Sequence, residues 1–223
     1  MNLWYAPNPV PYRPHPATWR QPLHLHLAPM WRALSRVLPT LRGSVLDVGC
    51  GSKPYRGLFD ASVREYVGLD RASPNATPDV IGDAHALPFE DHRFDVAVSF
   101  QVLEHVERPV DCLREMVRVV RPGGEVVFTV PGVWPDHEVP HDYWRFTRYG
   151  LEAAVRAAGL ELVELTPLGG LWSTLGQMAC LELDRSFAGR ALIPLVNLTA
   201  RALDRTARER LVMNWLCHAR RPR

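Results

Sequence analysis

VLDVGCG, residues 45–51, is the stretch that decides the fold. Val45, Leu46 and Val48 make a short apolar run of the kind that builds a strand buried on both faces, and Gly49-Cys50-Gly51 stops it at a tight turn. Moving outward, the pattern repeats. YVGLD (66–70), DVIGD (79–83), FDVAVSF (94–100) and EVVFTV (125–130) read as further strands, with a sixth at 160–165 and a seventh at 211–219. Between the fourth and fifth, Pro109 suits a first helical turn, Leu113, Met116, Val117 and Val120 share one face, and Gly123 can take a left-handed end. Thr147 can cap another helix with the stripe Leu151, Ala154, Val155 and Ala158 and its stop at Gly159. Alternation of this kind predicts a three-layer α/β domain.

Composition narrows the class. The 223 residues are 47% hydrophobic and 22% charged, the balance of a folded globular chain. A net charge of +2, from 26 basic and 24 acidic side chains, is too even to indicate a nucleic-acid binder, and no nucleic acid is expected as a partner. Cys50, Cys112, Cys180 and Cys217 form no CxxC unit, which argues against a zinc or disulfide framework and suits a reducing cytoplasm. No metal is expected. The proline-broken start lacks the apolar run of a secretory signal, and no segment reaches the roughly 18 to 20 apolar residues of a membrane span. Residues 1–26 carry six prolines among Trp4, Tyr5, Tyr12 and Trp19, so an extended arm is expected, lying on the surface or over a ligand. Met30, Leu34, Val37 and Leu41 then follow helical spacing.

In an open α/β sheet, ligands bind at the carboxyl ends of the strands. Three of those ends carry unusual residues here. Gly49 and Gly51 let the backbone turn sharply and approach a ligand. Asp70 can accept from two ribose hydroxyls, and Asp83-Ala84 can read the edge of an adenine. Together they make a nucleoside-binding edge. A dinucleotide fingerprint is disfavoured because Pro54 stands at the third glycine of GxGxxG, and no Walker loop occurs. Asp47 would repel a phosphate but could help orient an ammonium.

These segments carry a resemblance. VLDVGCGS (45–52), YVGLD (66–70), DAHALPFEDHRFDVAVSFQVLEHV (83–106) and LREMVRVVRPGGEVVFTVP (113–131) resemble the successive motifs of class I S-adenosylmethionine-dependent methyltransferases. The likeness spans about 43–167 and resumes at the last strand. It implies a Rossmann-like, seven-stranded, mostly parallel sheet with the last strand antiparallel, and S-adenosyl-L-methionine as cofactor. Carried over residue by residue, Asp47, Gly49 and Gly51 surround the methionine part, Asp70 holds the ribose, Asp83 and Ala84 meet the adenine with Leu87 nearby, and Gln101 sits beside the sulfonium. His105 has two readings, helix packing or a polar contact near the reacting centre. The sequence departs from the family at Lys53, where a third glycine is common.

The implied activity moves a methyl group to an oxygen or nitrogen of a small molecule, sugar or lipid-linked acceptor. A base is needed only for an alcohol, phenol or protonated amine. The loop after the fifth strand, 131–146, supplies His137, His141 and Asp142 as candidate bases and Trp134, Tyr143 and Trp144 as pocket walls. The expected domain limits are 1–42 for the arm and first helix, 43–167 with 209–223 for the core, and 168–208 for a helical insertion before the last strand. That insertion is rich in Leu, Ile, Met and Trp and is followed by seven arginines across 201–223. It has several readings: packing on the core, an acceptor cap, a homodimer interface, or peripheral contact with an anionic membrane. Two other classes stay open, a non-catalytic methyltransferase-like scaffold and a nicotinamide-dependent oxidoreductase.

Overall fold

A computed structural model describes residues 18–204 and 211–223. Trp4, Tyr5 and Tyr12 of the expected arm, and Arg205, Arg208 and Arg210 of the basic stretch, lie outside the described residues.

Seven strands form one sheet: β1 (Gly43–Val48), β2 (Val63–Asp70), β3 (Val80–Ile81), β4 (Phe94–Phe100), β5 (Val120–Pro131), β6 (Glu161–Leu168) and β7 (Asn214–Arg220). Their order is β3-β2-β1-β4-β5-β7-β6. The first five pair in parallel, and β7 runs antiparallel between β5 and β6. This is the α/β architecture expected, with the chain reversing direction across the sheet at β1 and β4, where such folds bind ligands.

The strands alternate sides residue by residue. Leu46, Val48, Ala97, Phe128 and Cys217 face α2 (Pro109–Val119) and α3 (Arg148–Ala157) in one buried cluster. Val45, Val96, Val98, Val127 and Leu216 face α1 (His24–Val37) in the other. A strand buried on both sides needs apolar residues at every position, which is why VLDV reads as a run. On α2 the buried residues are Pro109, Cys112, Leu113, Met116 and Val119; Val117 of the expected stripe is half-buried against the same cluster, and Val120 is buried as the first residue of β5. Gly123 is left-handed as expected (φ 77°), but inside β5 rather than at the helix end. Thr147 caps α3 by accepting from the Gly150 N–H at 3.1 Å.

Several boundaries differ from the sequence reading: β2, β5 and β6 run longer than expected, and three other differences have local grounds. α1 begins at His24 and tolerates Pro29, because Leu25, Ala28, Met30 and Leu34 bury on one face. β3 shrinks to two residues, Val80 and Ile81, which pair with Leu69 and Asp70 at the end of β2. β7 starts at Asn214, because the Met213 carbonyl is taken by the N–H groups of Gly132 and Val133.

After β6 come α4 (Leu171–Leu183), α5 (Phe187–Arg190) and α6 (Ile193–Asp204). No α4 side chain caps its own start. The Asp204 carboxylate, at the far end of α6, accepts instead from the N–H groups of Gly170, Trp172 and Ser173 at 2.8 to 3.2 Å. A carboxylate at a helix N-terminus satisfies orphan donors and complements the dipole. α4 and α6 also grip the start of the described chain: Gln177 bonds the His26 N–H and the Pro22 carbonyl, and Asn197 donates to the Trp19 and Gln21 carbonyls.

Candidate active site

The turn after β1 is braced from β2. Gly49 and Gly51 have φ of 74° and 52°, a region closed to most residues. The Gly51 N–H donates to Asp70 Oδ2 at 2.7 Å, and the Arg71 N–H donates to Oδ1 at 2.7 Å. Lys53, also left-handed, pairs with Asp79 at 2.6 Å, and Asp79 accepts from the Gly68 N–H. So the departure from a third glycine has a local function: Lys53 ties the turn to the chain entering β3. A Cβ on Gly49 would lie 2.4 Å from Val102, whereas one on Gly51 meets nothing within 4 Å. The space in front of Gly51 is free for a ligand.

Two polar atoms flank this turn, both buried and without a hydrogen-bond partner: Asp47 Oδ1 on β1 and Gln101 Nε2 just past β4. The other Asp47 oxygen accepts from the Tyr66 hydroxyl. Burial pushes the Asp47 carboxyl up to about 7, against the pull of that hydrogen bond. Gln101 is held at φ 55°, an uncommon conformation for a residue with a Cβ and one that clusters at functional sites. Cys50 is no nucleophile, since burial pushes its thiol up to about 12. Further along the same edge, Asp83 Oδ1 accepts from the His85 N–H and pairs with its ring Nδ1, both at 2.9 Å. Leu87 is buried, and Ala84 packs against the same cluster. Asp47, Gly49, Gly51, Asp70, Asp83, Ala84 and Gln101 therefore occupy the carboxyl ends of four adjacent strands. Their donor set fits an aminoacyl nucleoside: orphaned polar atoms at β1 and β4, and a carboxylate with lone pairs to spare at β2.

The loop after β5 folds back over the turn Leu103–His105. The Tyr143 and Trp144 N–H groups donate to the Glu104 carbonyl at 2.8 and 3.3 Å, and the Trp144 indole donates to Val106. His137 lies against Asp142, ring Nδ1 to Oδ2 at 3.2 Å, and edge-on to His105, 4.6 Å between rings. Burial and the neighbouring His105 lower the proton affinity of His137. His141 is exposed, its Nδ1 3.1 Å from the Tyr143 hydroxyl. Asp142 is unlike the other two. Both of its oxygens are held by the Arg145 guanidinium at 2.7 Å, and the His137 N–H adds a third donor. Burial would raise its carboxyl, but Arg145 and His137 together hold it at about 2. A carboxylate so fully engaged positions its neighbours and has little basicity to offer.

Trp134 packs at 4.3 Å on His26 of α1, a ring that burial keeps neutral by lowering it to about 3. Glu104 is the surprise of the region. It is wholly buried, and neither side-chain oxygen has a hydrogen-bond partner. Burial pushes its carboxyl up to about 8. Nothing local in the sequence marks it, since an acid after a strand ordinarily faces water. All four cysteines are free and buried, and no helix among the described residues is long and apolar enough to cross a membrane.

Residues 46–128 match a family model described as a methyltransferase domain. The chain is 31% identical over 176 residues to a 37.1 kDa protein in transposon TN4556 of Streptomyces fradiae, covering 70% of this chain and 46% of that one. It is 38% identical over 112 residues to a demethylmenaquinone methyltransferase of Renibacterium salmoninarum, covering 44% and 47%. The chain thus spans about half the length of these relatives. Among solved structures, it resembles an S-adenosylmethionine-dependent methyltransferase from Mesorhizobium loti with a TM-score of 0.56 at 21% identity, covering 88% of this chain and 100% of that one. At that identity the likeness is one of fold.

Proposed function

We propose that the core of this chain is a class I S-adenosylmethionine-dependent methyltransferase and that the protein methylates an oxygen or nitrogen of a small molecule, sugar or lipid-linked acceptor bound beneath the 131–146 loop. The observation that carries the cofactor half is the pair of buried, unpartnered atoms beside the glycine turn, Asp47 Oδ1 on β1 and Gln101 Nε2 just past the neighbouring β4. A buried polar group without a partner costs free energy, so a ligand that supplies one is favoured there.

When bound, the cofactor supplies a methyl group already activated on a positively charged sulfur. The chain's contribution is placement. Asp47 attracts the ammonium end, Gly49 and Gly51 admit close approach, and the remaining lone pairs of Asp70 accept from the ribose hydroxyls. Asp83 and Ala84 border the adenine, and Gln101 lies beside the methionine carbons. On the acceptor side, His141 takes the proton from a hydroxyl or ammonium at Nε2, while Tyr143 holds Nδ1. Asp142, bound to Arg145, keeps the loop and His137 in place.

Part of the apolar surface of α4, α5 and α6 is left uncovered. Trp172, Leu175, Phe187, Leu192, Leu195 and Leu198 are exposed there. That surface supports a lipid-linked acceptor reached by peripheral contact with the cytoplasmic membrane face, with self-association as the competing use.

Calorimetric titration tests the reading. Binding of S-adenosylhomocysteine and none of NAD is expected. Binding of NAD alone would transfer the assignment to an oxidoreductase, and binding of neither to a scaffold.

A further inference from the structure

We propose that Glu104, His105 and His137 hold a divalent transition-metal ion of the zinc class. The three side chains come from two segments far apart in sequence, and each offers one ligand atom within 4.8 Å of the others. The pair Glu104-His105 is no metal motif by itself; the loop after β5 brings His137 onto the turn that carries them.

Three further observations support the site. Neither oxygen of the wholly buried Glu104 side chain has a hydrogen-bond partner, so a carboxylate has been placed where protein groups do not satisfy it. The histidines face their partners in a particular way. His105 Nδ1 is 2.7 Å from the His141 carbonyl, and His137 Nδ1 is 3.2 Å from Asp142. A carbonyl and a carboxylate only accept, so both rings carry the proton on Nδ1 and present the Nε2 lone pair. Metal-binding histidines are oriented in this manner by an oxygen acceptor behind the ring. Last, Glu104 accepts no hydrogen bond from the nearby Arg145, whose guanidinium is taken by Asp142 and by the Trp134, Pro135 and Trp144 carbonyls.

Two imidazoles and one carboxylate suit zinc, iron, cobalt or nickel rather than magnesium or calcium, which prefer all-oxygen sets. Three protein ligands leave a position open, as in zinc sites that bind a water or a substrate oxygen. His105 Nε2 is 3.9 Å from both Glu104 Oε1 and Glu138 Oε2, so Glu138 at the exposed rim can enter as a fourth ligand. Closing the ligand atoms to the ~3.3 Å separation of a tetrahedral zinc site takes side-chain shifts of about 1 Å. The proposal rests on donor geometry and holds whether or not the chain transfers methyl groups.

The test is a titration of tag-free, chelator-stripped full chain with Co²⁺, read by visible absorption, followed by displacement with Zn²⁺. One equivalent should bind with the visible bands of a low-coordinate cobalt site. Glu104→Gln, His105→Ala and His137→Ala should each weaken binding at least a hundredfold, while His92→Asn, in an exposed loop, leaves it unchanged. Glu104→Gln preserves shape at the buried position, and circular dichroism checks the fold of all four variants. No cobalt binding by the folded parent, or binding that survives all three ligand substitutions, overturns the site. S-adenosylhomocysteine titrated in the presence of EDTA reads the methyl-transfer assignment separately, so failure of one is told from failure of the other.

Discussion

The Asp70 carboxylate at the end of β2 accepts the main-chain N–H of Gly51 in the turn after β1, 2.7 Å away. The group proposed to hold a ribose therefore also fixes the shape of the loop proposed to surround the methionine end. One side chain thus sets both halves of the proposed cofactor site.

Asp70→Ala should consequently do more than remove one contact. Hydrogen bonds to a charged group contribute about 1.5 to 3 kcal/mol, so S-adenosylhomocysteine binding should weaken by roughly ten- to a hundredfold. Calorimetry measures it. An unchanged dissociation constant in a folded variant removes Asp70 from the site.

Gly51→Val should abolish cofactor binding and leave the sheet folded. Nothing in the protein lies within 4 Å of the added Cβ, so the branched side chain projects into free space, and its φ of 52° adds strain. A ligand-induced rise in melting temperature equal to the parent's would show that the turn faces no cofactor. Gly49→Ala should be worse for folding, since its Cβ collides with Val102.

Asp47 predicts a pH dependence. Burial raises its carboxyl to about 7 in the folded chain, above the ~3.9 of a free aspartate. An acid raised on folding favours the folded state below the unfolded value, and that contribution is lost as pH climbs from about 4 through 7. Cofactor binding runs the other way, because an ammonium prefers the ionised carboxylate. Affinity for S-adenosylhomocysteine should thus fall below pH 7 by up to about tenfold per unit. Asp47→Asn should bind weakly and with a flat pH profile; a parent profile flat between pH 5.5 and 8 contradicts the assignment.

His141→Ala should lower turnover on a hydroxyl acceptor by about 10² to 10⁴, with cofactor affinity nearly intact. Full turnover would mean that the acceptor needs no base or that another group serves.

The helices after β6 predict salt-sensitive lipid contact. Arg32, Arg36 and Arg201 line, with Asp204, a hollow of about 460 Å³ between α1 and the start of α4, and Leu175, Leu195 and Leu198 of α4 and α6 are exposed. The chain should co-sediment with anionic vesicles at low salt and release as screening shortens the reach of the arginines. Sedimentation equilibrium showing a dimer indifferent to lipid would assign the surface to self-association.

Much of this was legible before any coordinates. A strand buried on both faces is apolar at nearly every position, so VLDV and VAVSF stand out of a chain of mixed composition; Asp47 interrupts the first at the proposed ligand edge, and the buried Ser99 interrupts the second with its hydroxyl on the Val48 carbonyl. Glu104 was not legible, because its burial is created by residues 134–146 folding back from the next strand. Nor was Asp204, which caps α4 from the end of a different helix. The partnership of Tyr66 with Asp47 depends on the register of β2 against β1. Local pattern announces elements; contacts between distant segments decide which acid is a cap, which is a base and which is left alone.

The position of β7 has a kinetic consequence. β6 pairs with β7 and with no other described strand, and β7 in turn lies against β5. During synthesis, residues 161–168 therefore emerge, and the following helices after them, before any neighbour exists to complete their ladder. Until residues 214–220 arrive, β5 has an open edge and β6 a full set of unmet backbone groups, the condition that invites wrong pairing. Closing so long a connection is entropically slow. Insertion of the last strand should be the late step of folding, and Trp215, buried within it, is an intrinsic fluorophore placed to report that step.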